Sequence, residues 1–477
     1  MRKTGFACGL VLTLLIGLSL QASDAMKAIV GSYLDIQNQL ATDKIDGVKG
    51  AAKKIITAAG TMGPSGADIS KAATALDQAA DLKAAREAFG PLSDAVIAAG
   101  KAEGWKDLAG VKVAYCPMVK RSWLQKEDQI RNPYYGASMK ATRFHHHGPP
   151  EVLRYEDAPD PVPAPGRAIV RVRACALNHL DLWQRRGLDR VSIPLPHISG
   201  SDVAGEVVDD GGGPVRAGTR VLVQPGLHCG TCRACTRGRD NLCVRYDVLG
   251  LQSDGGYAEL VSVPVQNLVP IPDHIGFVDA AAFPLTFLTA WRMLVTLAGI
   301  QTGDVVLVLG GGSGVGQAAI QIARLHGARV FATSSPAKME QTRALGVEQV
   351  FDHDGGDFGR ELKAATAGTG ADIVVEHVGE ATWDRSMCAL AAGGRIVTCG
   401  ATTGPKGSVN LVHLFARQLQ MLGSYMGTSS ELLAAVPHLF AGRLRPVIDE
   451  IVPLSDAVRA HQRLEARQQF GKIVLTP

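Results

Sequence analysis

Four cysteines near the middle of the chain are the residues best placed to do chemistry. Cys229, Cys232, Cys235 and Cys243 stand at C-x2-C-x2-C-x7-C spacing within PGLHCGTCRACTRGRDNLC. Four thiolates this close can complete a tetrahedral shell around one zinc. A filled shell leaves no position for substrate, so such a metal is structural. The competing use is a pair of disulfides, as in cysteine-dense secreted modules. Of the nine cysteines the other five are scattered, which favours the metal.

The second chemical signal is GDVVLVLGGGSGVGQAAIQIARLHGARVFATSS. Val305, Val306, Leu307, Val308 and Leu309 predict a parallel strand buried on both faces. Gly310, Gly311, Gly312, Gly314 and Gly316 follow, then an amphipathic helix pattern. Glycines in such a turn let the backbone approach a pyrophosphate, which the helix meets with its N-terminus. The order strand, turn, helix makes this a dinucleotide-binding pattern; glycines alone say less. Gly311, Ser313, Gly314, Val315 and Gly316 are the expected contacts, with Ser313 in place of a middle glycine. NAD-binding folds place an acid about twenty residues past the turn, on the ribose 2′-hydroxyl. Here Ser334 and Ser335 fill that place and Lys338 follows. Two hydroxyls and an ammonium suit a 2′-phosphate, so NADPH is expected ahead of NADH. Lys338 also reads as an ordinary solvated residue in the next helix's first turn.

From Met139 to Pro477 the chain resembles the zinc-containing medium-chain dehydrogenases and reductases, which include alcohol dehydrogenases and quinone oxidoreductases. The resemblance is carried by MKATRFHHHGPPEVLRYEDAPDPVPAPGRAIVRVRACALNHLDLW, ISGSDVAGEVV, the cysteine lobe, AAAFPLTFLTAW, RIVTCGATTG and HQRLEARQQFGKIVLTP. It implies a GroES-like β-barrel catalytic domain over residues 139–290 and 426–477, beside a doubly wound Rossmann nucleotide domain over 291–425. Thr289 matches a nicotinamide-contacting threonine of the family. Gly379 and Gly400 end later strands, at the edge where such folds bind ligands. The resemblance also implies a dimer or tetramer and a small-molecule substrate.

The departures from the alcohol dehydrogenase pattern shape the functional expectation. Those relatives hold a second, catalytic zinc through cysteine, histidine and cysteine. The three positions fall here on Asn178, on Ser201 and near Leu285. None is a good zinc ligand, and leucine cannot ligate. The expectation is therefore a reductase with a structural zinc only. A displaced metal site built from Cys175, His179 and Asp202 is the rival. Alternation along a strand would turn Cys175 away from Asn178. Asn178 and Asp181 match an Asn-x-x-Asp pair that lines the nicotinamide pocket in the quinone oxidoreductase branch, and are the candidate catalytic residues. Trp183 stands where those relatives often carry a tyrosine. Hydride transfer to a quinone or enone needs little acid–base equipment once the acceptor is stacked on the nicotinamide. A donor to the developing oxyanion helps, from Asn178 or from water held by Asp181. Both residues also read as loop pins bonded to backbone.

The first 138 residues read differently. Residues 1–25 have Arg2 and Lys3, the run FACGLVLTLLIGLSL and small residues after it, a secretory signal in outline. That run is too short for a stable membrane span. Over residues 26–138, apolar residues at helical spacing predict a small up-and-down bundle: Ile29, Tyr33, Ile36 and Leu40, then Val48, Ala52 and Ile55, then Leu82, Ala85, Phe89, Leu92 and Val96. The stretch YCPMVKRSWLQKEDQIRNPYYGASM resembles a domain of unknown function attached to bacterial heavy-metal efflux and copper-handling proteins. Cys116 and Met118 offer soft donors suited to Cu(I). The other reading is a packed aromatic cap of Trp123, Tyr134 and Tyr135. Export would bring a four-thiolate lobe into an oxidising space without an NADPH supply. A start at Met139 would give a cytoplasmic reductase. A genuine two-part exported protein and two joined reading frames both remain open.

A net charge of +4 over 477 residues, with both signs interspersed, gives no nucleic-acid footprint. The chain has room for two or three domains. His145, His146 and His147 read as a solvated edge rather than a metal site.

Overall fold

The computed structural model describes residues 9–42, 44–102, 110–116, 121–126, 133–134, 138–188 and 191–477. The chain divides into two compact units, Met1–Met139 with Asp157–Val162 and Lys140–Glu156 with Pro163–Pro477.

In the first unit, helices Gly9–Ala41, Val48–Gly60, Ala67–Asp77 and Leu82–Ala102 are followed by an antiparallel hairpin, Lys112–Cys116 with Arg121–Gln125. Residues three and four apart on the helices share a face. Ile29, Tyr33, Ile36, Val48, Ile55, Phe89 and Val96 thus meet in one core, which Trp123 and Leu124 of the hairpin complete. Trp123 stands edge-on to Tyr134 at 6.1 Å. The Cys116 side chain, Met118 and Tyr135 lie outside the described residues, and so does the start of the proposed signal. No helix among the described residues is long and apolar enough to cross a membrane.

The second unit carries the sheets that position the site. A seven-stranded sheet contains β1 (Arg167–Ala176) at its centre. Helix α1 (His179–Arg186) follows, and β2 (Asp202–Asp209) pairs antiparallel with β1. The C-terminal strand Lys472–Thr476 pairs with the other side of β1, Val474 opposite Ala176. Helix α2 (Pro284–Trp291) runs without a break into a π-helical turn, Arg292–Leu297. The sequence-based boundary at residue 290 therefore falls inside one continuous helical run. Beyond it come β3 (Val305–Val308), α3 (Gly314–Leu325) and β4 (Arg329–Ser334).

These open a six-stranded parallel sheet in the order Gln349–Asp352, β4, β3, Ala371–Glu376, Leu390–Thr398, Gln420–Gly423. This is the doubly wound order, and the strand order reverses between β3 and Ala371–Glu376. Ligands of such sheets bind outside the carboxyl ends of the strands at that reversal. Barrel and nucleotide sheet share one core: Ala174, Ala176 and Leu222 pack with Phe283 and Phe287, and these with Val306, Ala319 and Val375. The GroES-like and Rossmann halves are thus fixed to each other by buried apolar contact.

Candidate active site

The site begins where β1 ends. Leu177 N–H donates to Ile473 O at 2.9 Å, which ties the end of β1 to the C-terminal strand. Asn178 is then the N-cap of α1 in extended geometry (φ −129°, ψ 158°). Its N–H donates to Asp181 Oδ2 at 2.8 Å. Its side-chain amide turns the other way, donating to Asp202 Oδ2 at 2.9 Å and accepting from Lys472 Nζ at 2.6 Å. Lys472 Nζ also donates to Asp202 Oδ2 at 3.0 Å, and Leu285 N–H to Asp202 Oδ1 at 2.8 Å. Lysine and aspartate are almost wholly buried. An amide, a carboxylate and an ammonium from three strand ends thus meet in one corner, with each charge paired.

Asp181 sits elsewhere than its sequence pattern implied. It is fully buried and caps α1, accepting from Asn178 N–H and from Tyr257 Oη at 3.0 Å. Burial pushes its carboxyl up to about 6, against the pull of those two donors. Tyr257 in turn meets His461 Nε2 at 3.2 Å. Asp181 holds the turn that presents Asn178 and does not line the cavity.

A cavity of about 380 Å³ runs from this corner along the glycine turn. Lys472, Asn178, Thr286, Thr289 and Leu285 line one end; Ser334, Ser335, Lys338 and Arg467 line the other; Ser313, Gly314 and Val315 lie between. A Cβ on Gly314 would stand 2.9 Å from Thr286 and 3.2 Å from the Lys472 stem, filling the space a dinucleotide needs. Ser313 Oγ accepts from Gly316 N–H at 2.9 Å and so caps α3. Gly311 and Gly316 serve the turn from beneath. A Cβ on Gly316 would strike Gly310 O at 2.2 Å, and one on Gly311 would press on Thr342. The residues present fit a nicotinamide dinucleotide, its pyrophosphate on the α3 N-terminus.

Gly379 and Gly400 line an adjoining cavity of about 650 Å³ with Asn241, Trp383 and Tyr425, and Tyr425 borders both cavities. Lys338 is not a free solvated cation: its Nζ donates to Arg467 O and Gln469 O, both at 2.6 Å. Arg467 is an exposed cation that lines this cavity with the two serines, and the sequence reading missed it. Lys472 was missed as well, although a lysine opening the apolar run KIVLT is a charge in a strand that is otherwise buried. Gly471 before it (φ 88°) takes a conformation that side chains rarely adopt, and its N–H donates to Gly312 O at 2.8 Å. That bond ties the lysine's strand to the glycine turn.

No displaced zinc site forms from Cys175, His179 and Asp202. The Cys175 thiol packs against Gly200 and Gly256, and burial pushes it up. His179 faces the cavity edge-on to Trp183 at 5.1 Å, and burial first, then Arg186, pulls it down to about 4. Ser201 is buried with its hydroxyl unpartnered, and Leu285 offers only its N–H. Among the described residues the four cysteines are the one group of His, Cys, Asp or Glu ligand atoms close enough to hold a metal, all within 4.8 Å of one another.

The cysteine sulfurs stand 3.5 Å (Cys229–Cys243), 3.6 Å (Cys232–Cys235) and 3.9 Å (Cys229–Cys235) apart. A disulfide needs about 2 Å, whereas Zn–S bonds of about 2.3 Å set tetrahedral edges near 3.8 Å. The donor set fits one zinc. Asp240 Oδ2 accepts from Ser429 N–H at 2.9 Å and Asn241 donates to Tyr425 O at 3.1 Å, which fastens the lobe to the rim of the site.

Comparison with known proteins gives the same picture. Residues 164–273 match the alcohol dehydrogenase GroES-like domain, and residues 314–441 the zinc-binding dehydrogenase domain. A quinone oxidoreductase of Pseudomonas aeruginosa is 32% identical over 350 residues, covering 71% of this chain and 99% of that protein. An acryloyl-coenzyme A reductase of Metallosphaera sedula is 29% identical, covering 66% and 94%. A solved structure of an NAD-dependent alcohol dehydrogenase is 44% identical with a TM-score of 0.68, covering 71% and 100%. With a four-cysteine lobe, a glycine turn at the sheet's switch point and an asparagine–aspartate pair at the barrel end, the chain belongs to the medium-chain zinc-binding dehydrogenase/reductase family, in its quinone oxidoreductase-like branch.

Proposed function

We propose that this oxidoreductase transfers hydride from NADPH to a quinone or an α,β-unsaturated carbonyl, with one zinc confined to the cysteine lobe. The observation that carries the reading is the corner of Asn178, Asp202 and Lys472. Asn178 stands at one of the three positions where the alcohol dehydrogenase pattern implies a metal ligand, and here it meets the ammonium of Lys472, which is paired with Asp202. Bound in the cavity, the reduced cofactor would supply the hydride. Thr286, Thr289 and Leu285 would seat its nicotinamide and keep water out, and Lys472, held in place by Asn178 and Asp202, would orient the acceptor oxygen. Ser334, Ser335, Lys338 and Arg467 support a 2′-phosphate, hence NADPH. The four thiolates would hold zinc as a brace for residues 425–429.

NADH-linked alcohol oxidation is the second reading, favoured by the 44% identical NAD-dependent alcohol dehydrogenase and by Asp354 at the cavity wall. Absorbance assays on the full chain separate the two. The expected result is oxidation of NADPH faster than NADH with benzoquinone or cyclohexenone, and no reduction of either oxidised cofactor by simple alcohols. Alcohol-driven reduction of NAD without quinone or enone turnover would overturn the proposal.

We also read the first unit as a helical bundle with a separate role. A second copy of the chain suits the edge strand Gln420–Gly423, beside which Leu411, Val412 and Phe415 are exposed. The thiolate lobe and the NADPH requirement favour a reducing compartment for this unit, whatever the fate of residues 1–25.

A further inference from the structure

The C-terminal strand is buried at Lys472, Ile473, Val474 and Leu475, and Lys472 is 2% exposed. Burying an ammonium is costly unless it is paired and hydrogen-bonded. Asp202 and Asn178 meet that need from one side. An ammonium has three N–H groups. Two are used, and among the described residues the third has no acceptor. The lysine also lines the cavity, beside Thr286 and against Gly314 of the glycine turn.

We propose that Lys472 is a catalytic residue, whose third N–H binds the carbonyl or quinone oxygen of the substrate and stabilises the negative charge that hydride transfer places there. Asp202 and Asn178 are positioning residues that fix the ammonium, and Leu285 N–H fixes Asp202 in turn. For an enone, a C–H bond forms at the β carbon as the C4–H bond of the reduced nicotinamide breaks. The π electrons move to oxygen, and the resulting enolate takes one proton from water at the α carbon, leaving hydroxide to the solvent. The substrate is reduced and the nicotinamide oxidised, each by one electron pair. A fixed cation at the oxygen acts only as charge develops, which is the arrangement that lowers a barrier rather than tightens binding. Substrates are therefore π-conjugated oxygen acceptors. Enones, whose enolate is the stronger base, depend on the lysine more than quinones do.

The inference rests on the reductase reading, and the test separates the two. Full-length Lys472→Met is compared with Lys472→Met/Asp202→Asn, which leaves no unpaired buried carboxylate. Cofactor binding is read from nicotinamide fluorescence, and kcat and KM are measured with cyclohexenone and benzoquinone. The expected result in the double variant is unchanged cofactor affinity, a kcat for the enone lower by roughly 100-fold to 1,000-fold, and a smaller loss with the quinone. Wild-type rates on both substrates overturn the role, and so does an equal loss on both that tracks weakened cofactor binding. A wild-type protein that binds the cofactor yet reduces neither substrate sinks the reductase reading and this proposal with it.

Discussion

Asp181 shows how a side chain can match a pattern and still act from behind the site. Its spacing from Asn178 is that of a capping pair as much as of a catalytic pair, and only the fold tells the two apart. Its titration gives a signed prediction. The folded group is raised from 3.8 to about 6, chiefly by burial. Its contribution to stability is complete below the unfolded value and is lost as pH rises through the folded one. Compared with Asp181→Asn, the wild-type advantage should shrink by about 2 kcal/mol between about pH 4 and about pH 7. Urea unfolding at both pH values measures it, and a pH-independent difference would show the carboxyl already charged at the lower pH. Lys472 is the converse case. It lies far in sequence from Asn178 and Asp202, so no local spacing could announce the triad. The one trace was a charge in an apolar strand. Arg467 left no trace, since its place on the wall of the cavity depends on how the last loop folds.

At the scale of elements the sequence was most legible where physics is local. The apolar run, the glycines and the amphipathic helix predicted β3, the turn and α3, because each obeys a short-range rule. The cysteine lobe was legible for the same reason. The unbroken passage of α2 into the π-helical turn was not, since it bridges two parts that the resemblance divides. Nor was the placing of Gly379 and Gly400 on the second cavity. The lobe has only short turns of its own, Cys235–Arg237 and Asp240–Leu242. A zinc held by the four cysteines would order it, and its bonds to Ser429 and Tyr425 would pass that order to the site. Cys232→Ser should therefore release the zinc and raise KM for substrate more than it lowers kcat. Elemental analysis and steady-state kinetics check this, and a zinc-free variant with wild-type kinetics would show that the lobe braces nothing.

At the scale of the whole molecule, Met1–Met139 with Asp157–Val162 and Lys140–Glu156 with Pro163–Pro477 form two units, and the proposed chemistry of the second rests on one cation. Lys472 is tied to Asp202 and Asn178, and under the proposed reading this corner works with cofactor and substrate and without a catalytic zinc. The most direct test is zinc per chain in tag-free protein dialysed against a weak chelator, with NADPH oxidation followed on the same sample. The expected result is one zinc, reduction of quinone or enone at that loading, and no gain on adding more metal. Two tightly held zincs, or activity that appears only with the second, would contradict it.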